Sequence, residues 1–400
     1  MSSSVPSEDE LEVQYHKFIC RAFRSYRQWH LSVNNKRRYD YNERLSERHK
    51  ALLSEYPSQL TLIDNAIANN ADFLETMIDL TQGFLLEEEG GNSHNNNDDD
   101  HEDSTMTSST EAEASNHQRK PTGEDMSKIC STLRQLVREW SADGTEEREK
   151  CFKPILDELQ RRYPPEVRSK TRILVPGAGL GRLTWEIARL GFQCEGNEFS
   201  LYMVFVSNFI MNYCNDKDVH TIHPWTHTFS NVQSMTNVIK QVSVPDVNPN
   251  TLPDSGSLSM SAGDFIEAYK DNPLRWDCII TCFFLDTAKS VPDYLDSIYQ
   301  NLRDDGLWIN LGPTLWHWET SSHDSEDISI ELTVEDLKNI CRKMGWQITN
   351  EKEITTTYAA MTSGSLFSPT YHAIFWLATK LIPPTDDMSK FLPHNVSESN

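Results

Sequence analysis

Beyond Arg172 the apolar residues gather into short runs: RILVP (172–176), FQCEGNE (192–198), LSMSAGD (258–264), DCIITCFFLD (277–286) and LWINLGP (307–313), with amphipathic stretches between them. Strands that alternate with helix-length segments predict an α/β fold whose mostly parallel sheet is covered on both faces. Two further runs, WQITNEKEITTTYA (346–359) and YHAIFWLATK (371–380), are joined by a loop and predict an antiparallel pair that closes one edge.

The chain before Arg172 has the other period. Leu11, Tyr15, Phe18 and Ala22 recur at spacings of three and four, as do Leu60, Ile63, Ile67, Phe73, Met77 and Leu80 in much the same way, so residues 1–86 read as an all-helical region. The segment 87–122 holds ten acidic residues between Glu87 and Asn116 and no Lys or Arg in that interval; it cannot bury enough apolar area to offset chain entropy and reads as a disordered acidic linker. Helical periodicity returns over 123–168, with Ile129, Leu133, Leu136, Val137 and Trp140 on one face and Phe152, Ile155, Leu156 and Leu159 on another. The sheet domain is expected over 169–385, and residues 386–400 read as a flexible tail.

Four hundred residues with 38% hydrophobic content and ten Trp can build a substantial core. The formal charge of −23 argues against a nucleic-acid surface, which needs clustered Lys and Arg. No apolar run is long enough to span a membrane, and MSSSVPSEDELEV is too polar and acidic for a signal peptide. The eight cysteines form no CxxC pair and no Cys/His set with metal-ligand spacing. A reduced compartment, cytosol or nucleus, is expected.

The stretch ILVPGAGLGRL (173–183) carries glycines at 177, 179 and 181 between a strand and the helical LTWEIARLG. Such a turn lets a ligand approach the backbone at the carboxyl end of a parallel strand. Its spacing is GxGxG, with Arg182 where a dinucleotide fingerprint has its third glycine, and the GK[ST] of a phosphate-binding loop is absent. Glu198 closes the next strand 21 residues beyond Gly177, near the spacing at which an acidic residue accepts hydrogen bonds from a ribose. AGDF (262–265) ends the following strand with an acceptor, Asp264, and an aromatic, Phe265, suited to an adenine. An adenosine site without a phosphate clamp favours S-adenosylmethionine over NAD or ATP. Taken singly, Glu198 and Asp264 also fit solvated strand ends.

LVPGAGLGRL, GNEFSLYM (196–203), SAGDF, CFFLDTA (282–288) and NLGPTLWHWE (310–319) occur in one order, and together they resemble the carnosine N-methyltransferase family of class I S-adenosylmethionine enzymes. The resemblance runs from about Cys130 to near Lys380 and implies a Rossmann-like class I methyltransferase with a seven-stranded sheet. Pro176 stands where most class I enzymes have an acidic residue before the glycines, a departure shared with the family. The resemblance gives the compensating contacts to Gln135 and Arg138, three apart on one helical face, and places Gly177, Gly179, Glu198, Asp264, Phe265 and either Thr281 or Cys282 around the cofactor.

Many amine and amide methyltransferases carry an Asn-Pro-Pro-Tyr type turn after the fourth strand; here the same place has Phe284, Leu285, Asp286 and Thr287. An ionised carboxylate only accepts hydrogen bonds, so it suits a nucleophile with a proton on one atom and a lone pair on another. An imidazole is such a group: Asp286 accepting its N–H would aim the other nitrogen at the methyl group. The same Asp-Thr pair also reads as a helix cap. By resemblance His317 and Tyr371 contact the dipeptide, although SLFSPTYH departs from the Tyr-rich pattern of the family and puts substrate preference in question. Methyl transfer needs no metal.

The expected activity is therefore S-adenosyl-L-methionine-dependent N-methylation of the imidazole of carnosine, giving anserine, or of a related histidine-containing peptide. The alternatives are a protein-histidine N-methyltransferase and an inactive cofactor-binding regulatory protein. Neither nucleic acid nor membrane is expected as a partner, and the apolar helical faces leave room for a homodimer.

Overall fold

A computed structural model describes residues 8–87, 120–271, 273–319, 328–359 and 364–381. Most of the acidic segment and the whole C-terminal tail read from the sequence lie outside the described residues. The chain divides into two compact units, one made of 1–145, 200–250 and 359–368, the other of 146–199, 251–358 and 369–400.

Nine strands run through the described residues: β1 (Arg172–Pro176), β2 (Gln193–Glu198), β3 (His220–Ile222), β4 (Val242–Val244), β5 (Ser257–Ala262), β6 (Trp276–Cys282), β7 (Leu302–Gly312), β8 (Trp346–Thr356) and β9 (Tyr371–Lys380). All but β3 and β4 belong to the second unit.

The first unit is built on two 32-residue helices, Glu8–Tyr39 and Tyr56–Glu87, with Gly123–Trp140 and Leu201–Tyr213. Phe18 and Ala22 of the first helix and Leu60, Ile63, Ile67, Phe73 and Met77 of the second are buried as the spacing predicts, with Tyr26 one turn further on, whereas Leu11 and Tyr15 are half-buried and Leu80 is 45% exposed. Gly123–Trp140 starts with a capping box: Thr122 accepts from the Asp125 N–H, and the Asp125 carboxylate accepts from the Thr122 N–H at 2.7 Å. The two-stranded β3–β4 ribbon is antiparallel. At three residues each, its strands are too short to show an alternation in the sequence.

The second unit holds the seven-stranded sheet, in the order β5-β2-β1-β6-β7-β9-β8. All neighbours are parallel except at β9, which is antiparallel to both β7 and β8. The final two runs do form an antiparallel pair, with the last strand inserted inside the edge strand. The period-two pattern divides the core. Ile173, Val175, Cys278, Ile280, Leu307, Ile309, Leu311, Phe375 and Leu377 meet Ile155 and Leu159 of Lys153–Arg162 and Ile187 of Arg182–Arg189. Their strand neighbours Leu174, Ile279, Trp308 and Trp376 face Leu295 and Ile298 of Val291–Asn301 and Leu337 and Cys341 of Val334–Lys343. Helices thus cover both faces, and the chain reverses its direction of winding between β1 and β6, where open α/β sheets bind ligands at the strands' carboxyl ends.

Candidate active site

The glycine turn follows β1 directly. Gly177, Gly179 and Gly181 have φ of +65°, +60° and +79°, in the left-handed region, and Gly181 is the N-cap of Arg182–Arg189. Gly177 is also held by lack of space: a Cβ there would lie 2.5 Å from Cδ2 of Phe284. That contact places the turn after β6 against the turn after β1.

The neighbouring strand ends complete a rim. Glu198, the last residue of β2, accepts the Gly179 N–H on Oε2 at 2.8 Å, so its carboxylate is fixed to the glycine turn. Beside it, Glu198 O accepts the Gly263 N–H at 3.0 Å. Asp264 caps Phe265–Tyr269, its Oδ1 accepting from the Ile266 N–H at 2.8 Å and the Glu267 N–H at 3.1 Å. Phe265 is buried with its ring edge-on to Phe284, 5.5 Å between centroids, so this side chain packs into the core here. At the end of β6 the two candidates separate. Thr281 is fully buried, accepting from Trp308 Nε1 at 2.9 Å and donating to Asn310 Oδ1 at 2.8 Å, whereas Cys282 is half-buried.

Asp286 sits in a one-turn helix, Leu285–Thr287, which the chain enters through Phe283 at φ +53°. The residue is 3% exposed, and its carboxylate accepts the Leu315 N–H on Oδ2 at 3.1 Å while its backbone carbonyl accepts the His317 N–H at 3.0 Å. The loop leaving β7 is thus hydrogen-bonded to the turn leaving β6. Burial pushes the Asp286 pKa up to about 6, opposed by the Leu315 N–H and its own N–H. His317 is exposed at the surface, and the desolvation it does feel lowers its pKa, which favours the neutral ring. Because β9 runs against β7, its first residue lies at the same edge: Tyr371 packs edge-on to Phe283 at 5.9 Å, and Tyr358 packs on Phe283 at 4.8 Å.

Gly177, Gly179, Glu198, Asp264, Cys282, Asp286, His317 and Tyr371 therefore all lie at one edge of the second unit's sheet. Gln135 and Arg138 belong to the first unit, where both are buried beside Glu139: Gln135 Nε2 donates to Glu139 Oε1 at 2.6 Å, and Arg138 approaches the same oxygen at 3.8 Å.

Tyr294 escapes the sequence reading. Its ring stacks on Phe284 at 4.7 Å, and its pKa is pushed up to about 12 by burial, with Asp264 and Glu198 adding repulsion and Thr287 opposing. It falls on the buried stripe of Val291–Asn301, next to Val291, Leu295 and Ile298, so its spacing reads as core.

Strand order, glycine turn and acidic strand ends without a phosphate clamp define a Rossmann-like class I methyltransferase. More narrowly, residues 115–381 match the family model described as carnosine N-methyltransferase, and the chain belongs to that family. The carnosine N-methyltransferase of Rattus norvegicus is 38% identical over 377 residues, which cover 93% of this chain and 88% of the rat protein. That of Schizosaccharomyces pombe is 34% identical over 385 residues, covering 92% and 96%. The solved TehB of Haemophilus influenzae superposes with a TM-score of 0.36 at 12% identity over 57% of this chain and 62% of that one, too loosely for any residue to be carried over.

Proposed function

We propose that this protein methylates an imidazole nitrogen of carnosine, β-alanyl-histidine, to give anserine, with S-adenosylmethionine as donor. The observation that carries the reading is Asp286, a buried carboxylate fixed by the Leu315 N–H at the end of β6, next to the glycine turn, in a chain of this family.

The residues fit an adenosyl group. Carboxylates at adjacent strand ends, Glu198 and Asp264, are acceptors for hydroxyl and amino donors and would repel a phosphate. At Gly263 nothing lies within 4 Å of where a Cβ would stand, which leaves the backbone between them open. When bound, S-adenosylmethionine supplies a methyl group on a positively charged sulfur.

Asp286 does three things toward the nucleophile. Its carboxylate accepts the N–H of one ring nitrogen and so selects the tautomer whose other nitrogen has its lone pair available. As that nitrogen gains a methyl group the ring becomes a cation, and a buried negative charge beside it lowers the barrier. With its pKa raised to about 6, Asp286 also comes close enough to an imidazolium to take the ring's N–H proton on a carboxylate oxygen, leaving a neutral methylimidazole. His317, neutral and exposed, is assigned to the dipeptide's polar ends. Tyr371 and Tyr358, both packed on Phe283, are assigned to the wall against which the ring lies.

The test is methyl transfer from labelled S-adenosylmethionine to carnosine, a longer histidine-containing peptide and β-alanyl-alanine, with the methylated atom located by NMR. Transfer to the carnosine imidazole and none to β-alanyl-alanine is expected. Binding of the cofactor with no transfer to carnosine would overturn the substrate assignment.

A further inference from the structure

The first unit brings together three metal-ligating side chains that lie far apart in the sequence. One ligand atom from each of His30, Cys130 and His227 lies within 4.8 Å of the other two. His30 stands on Glu8–Tyr39, Cys130 on Gly123–Trp140 and His227 in the loop that follows β3. Cys130 is buried and the two imidazoles are half-buried.

One of the three ligand-to-ligand distances matches a small tetrahedral centre. Cys130 Sγ lies 3.6 Å from His30 Nε2. Bonds of about 2.05 Å to nitrogen and about 2.3 Å to sulfur hold two such ligands about 3.5 Å apart at a tetrahedral ion. The two imidazole rings are 4.4 Å apart and tilted by 57°.

The surroundings orient His227. Its Nε2 hydrogen-bonds the Tyr26 hydroxyl at 2.5 Å. Tyr26 is held in turn by Asn70 Nδ2 at 2.8 Å, and buried Asn70 also bonds the backbone N–H and carbonyl of His223, four residues before His227.

We propose that His30, Cys130 and His227 bind a borderline transition-metal ion of the zinc type, which takes the place of the Tyr26 hydroxyl at His227 Nε2 and ties two helices and a loop of the first unit together. A nitrogen and sulfur donor set favours such an ion over magnesium or calcium.

Arg37 and Arg134 lie near enough to disfavour positive charge at these rings, so the ion needs a charged ligand. Binding exchanges the Cys130 S–H bond for a metal–thiolate bond and releases one proton per ion. The thiolate then offsets one of the ion's two charges.

The experiment uses the full-length chain, stripped with a chelator and titrated first with Co2+ and then with Zn2+ against a chromophoric chelator. One Co2+ per chain with a thiolate-to-cobalt charge-transfer band, displaced by Zn2+ with release of one proton, is the expected result. Cys130→Ser should lose the band and weaken Zn2+ by more than the roughly 10–100-fold that loss of an outer partner costs. Tyr26→Phe, which removes the competing hydrogen bond and keeps the ring, should tighten it. A wild-type chain that takes up no stoichiometric Co2+, or a band that persists in Cys130→Ser, overturns the site. A Tyr26→Phe chain that melts earlier and gains nothing from Zn2+ would instead make the cluster a hydrogen-bonded core.

Discussion

Asp286 combines a structural cost with a chemical role. Its pKa in the folded chain is about 6 against 3.8 for the unsheltered group, so the native state holds its proton more tightly, and stability falls as pH rises from about 4 to about 6. Above that window the buried charge costs about 3 kcal/mol. Asp286→Asn should therefore unfold at higher denaturant at pH 7.5 and match wild type near pH 4, while its turnover drops roughly 10²–10⁴-fold, the usual weight of a proton-handling group. Activity carries the same signature. In wild type, kcat/KM should fall below pH 6 with a slope approaching two, from Asp286 and the substrate's imidazole; in Asp286→Asn the slope should be one. Equal slopes in the two proteins would remove Asp286 from the titration.

Elements set the site by the way strands end. Gly177 cannot carry a side chain without displacing Phe284, so Gly177→Ala combines a left-handed φ with a 2.5 Å contact. A loss of about 1–3 kcal/mol and a weaker cofactor complex are expected from chemical denaturation and calorimetric titration. Beneath the rim, Trp308 Nε1, Thr281 and Asn310 form a buried chain that continues to the Ile374 carbonyl at 3.3 Å. Thr281→Val keeps the shape but leaves the indole N–H and the Asn310 oxygen without that partner, which should cost about 1–3 kcal/mol in a urea melt. A neutral result would mean that water replaces the hydroxyl.

Across the whole molecule, ligand binding should appear as stability. S-adenosylhomocysteine at about one hundred times its Kd should add about 2.7 kcal/mol to unfolding. Asp286→Ala should keep that gain. Glu198→Ala, which loses a proposed ribose acceptor and the hydrogen bond to Gly179, should lose most of it at the same ligand concentration, as read by thermal shift. A full shift in Glu198→Ala would remove Glu198 from the cofactor site.

Much of this was legible from the sequence. The strands were legible as short apolar runs because a strand buried on both faces reads as continuous apolar sequence, but which of Ile173, Leu174 and Val175 meets which layer of helices was not. The glycine turn and its acidic neighbours were legible because left-handed φ and strand-end carboxylates are local requirements. Asp286 was legible as a carboxylate at a strand end, but its pKa was not, since burial and the Leu315 N–H depend on a loop 29 residues away. Tyr294 looked like core because helical spacing shows which face is buried and not what lies against it. His30, Cys130 and His227 carry no motif spacing at all. The sequence by itself determined the period of each element and the chemistry its ends can offer; only the tertiary structure decided which distant side chains meet, because that depends on how separate segments pack.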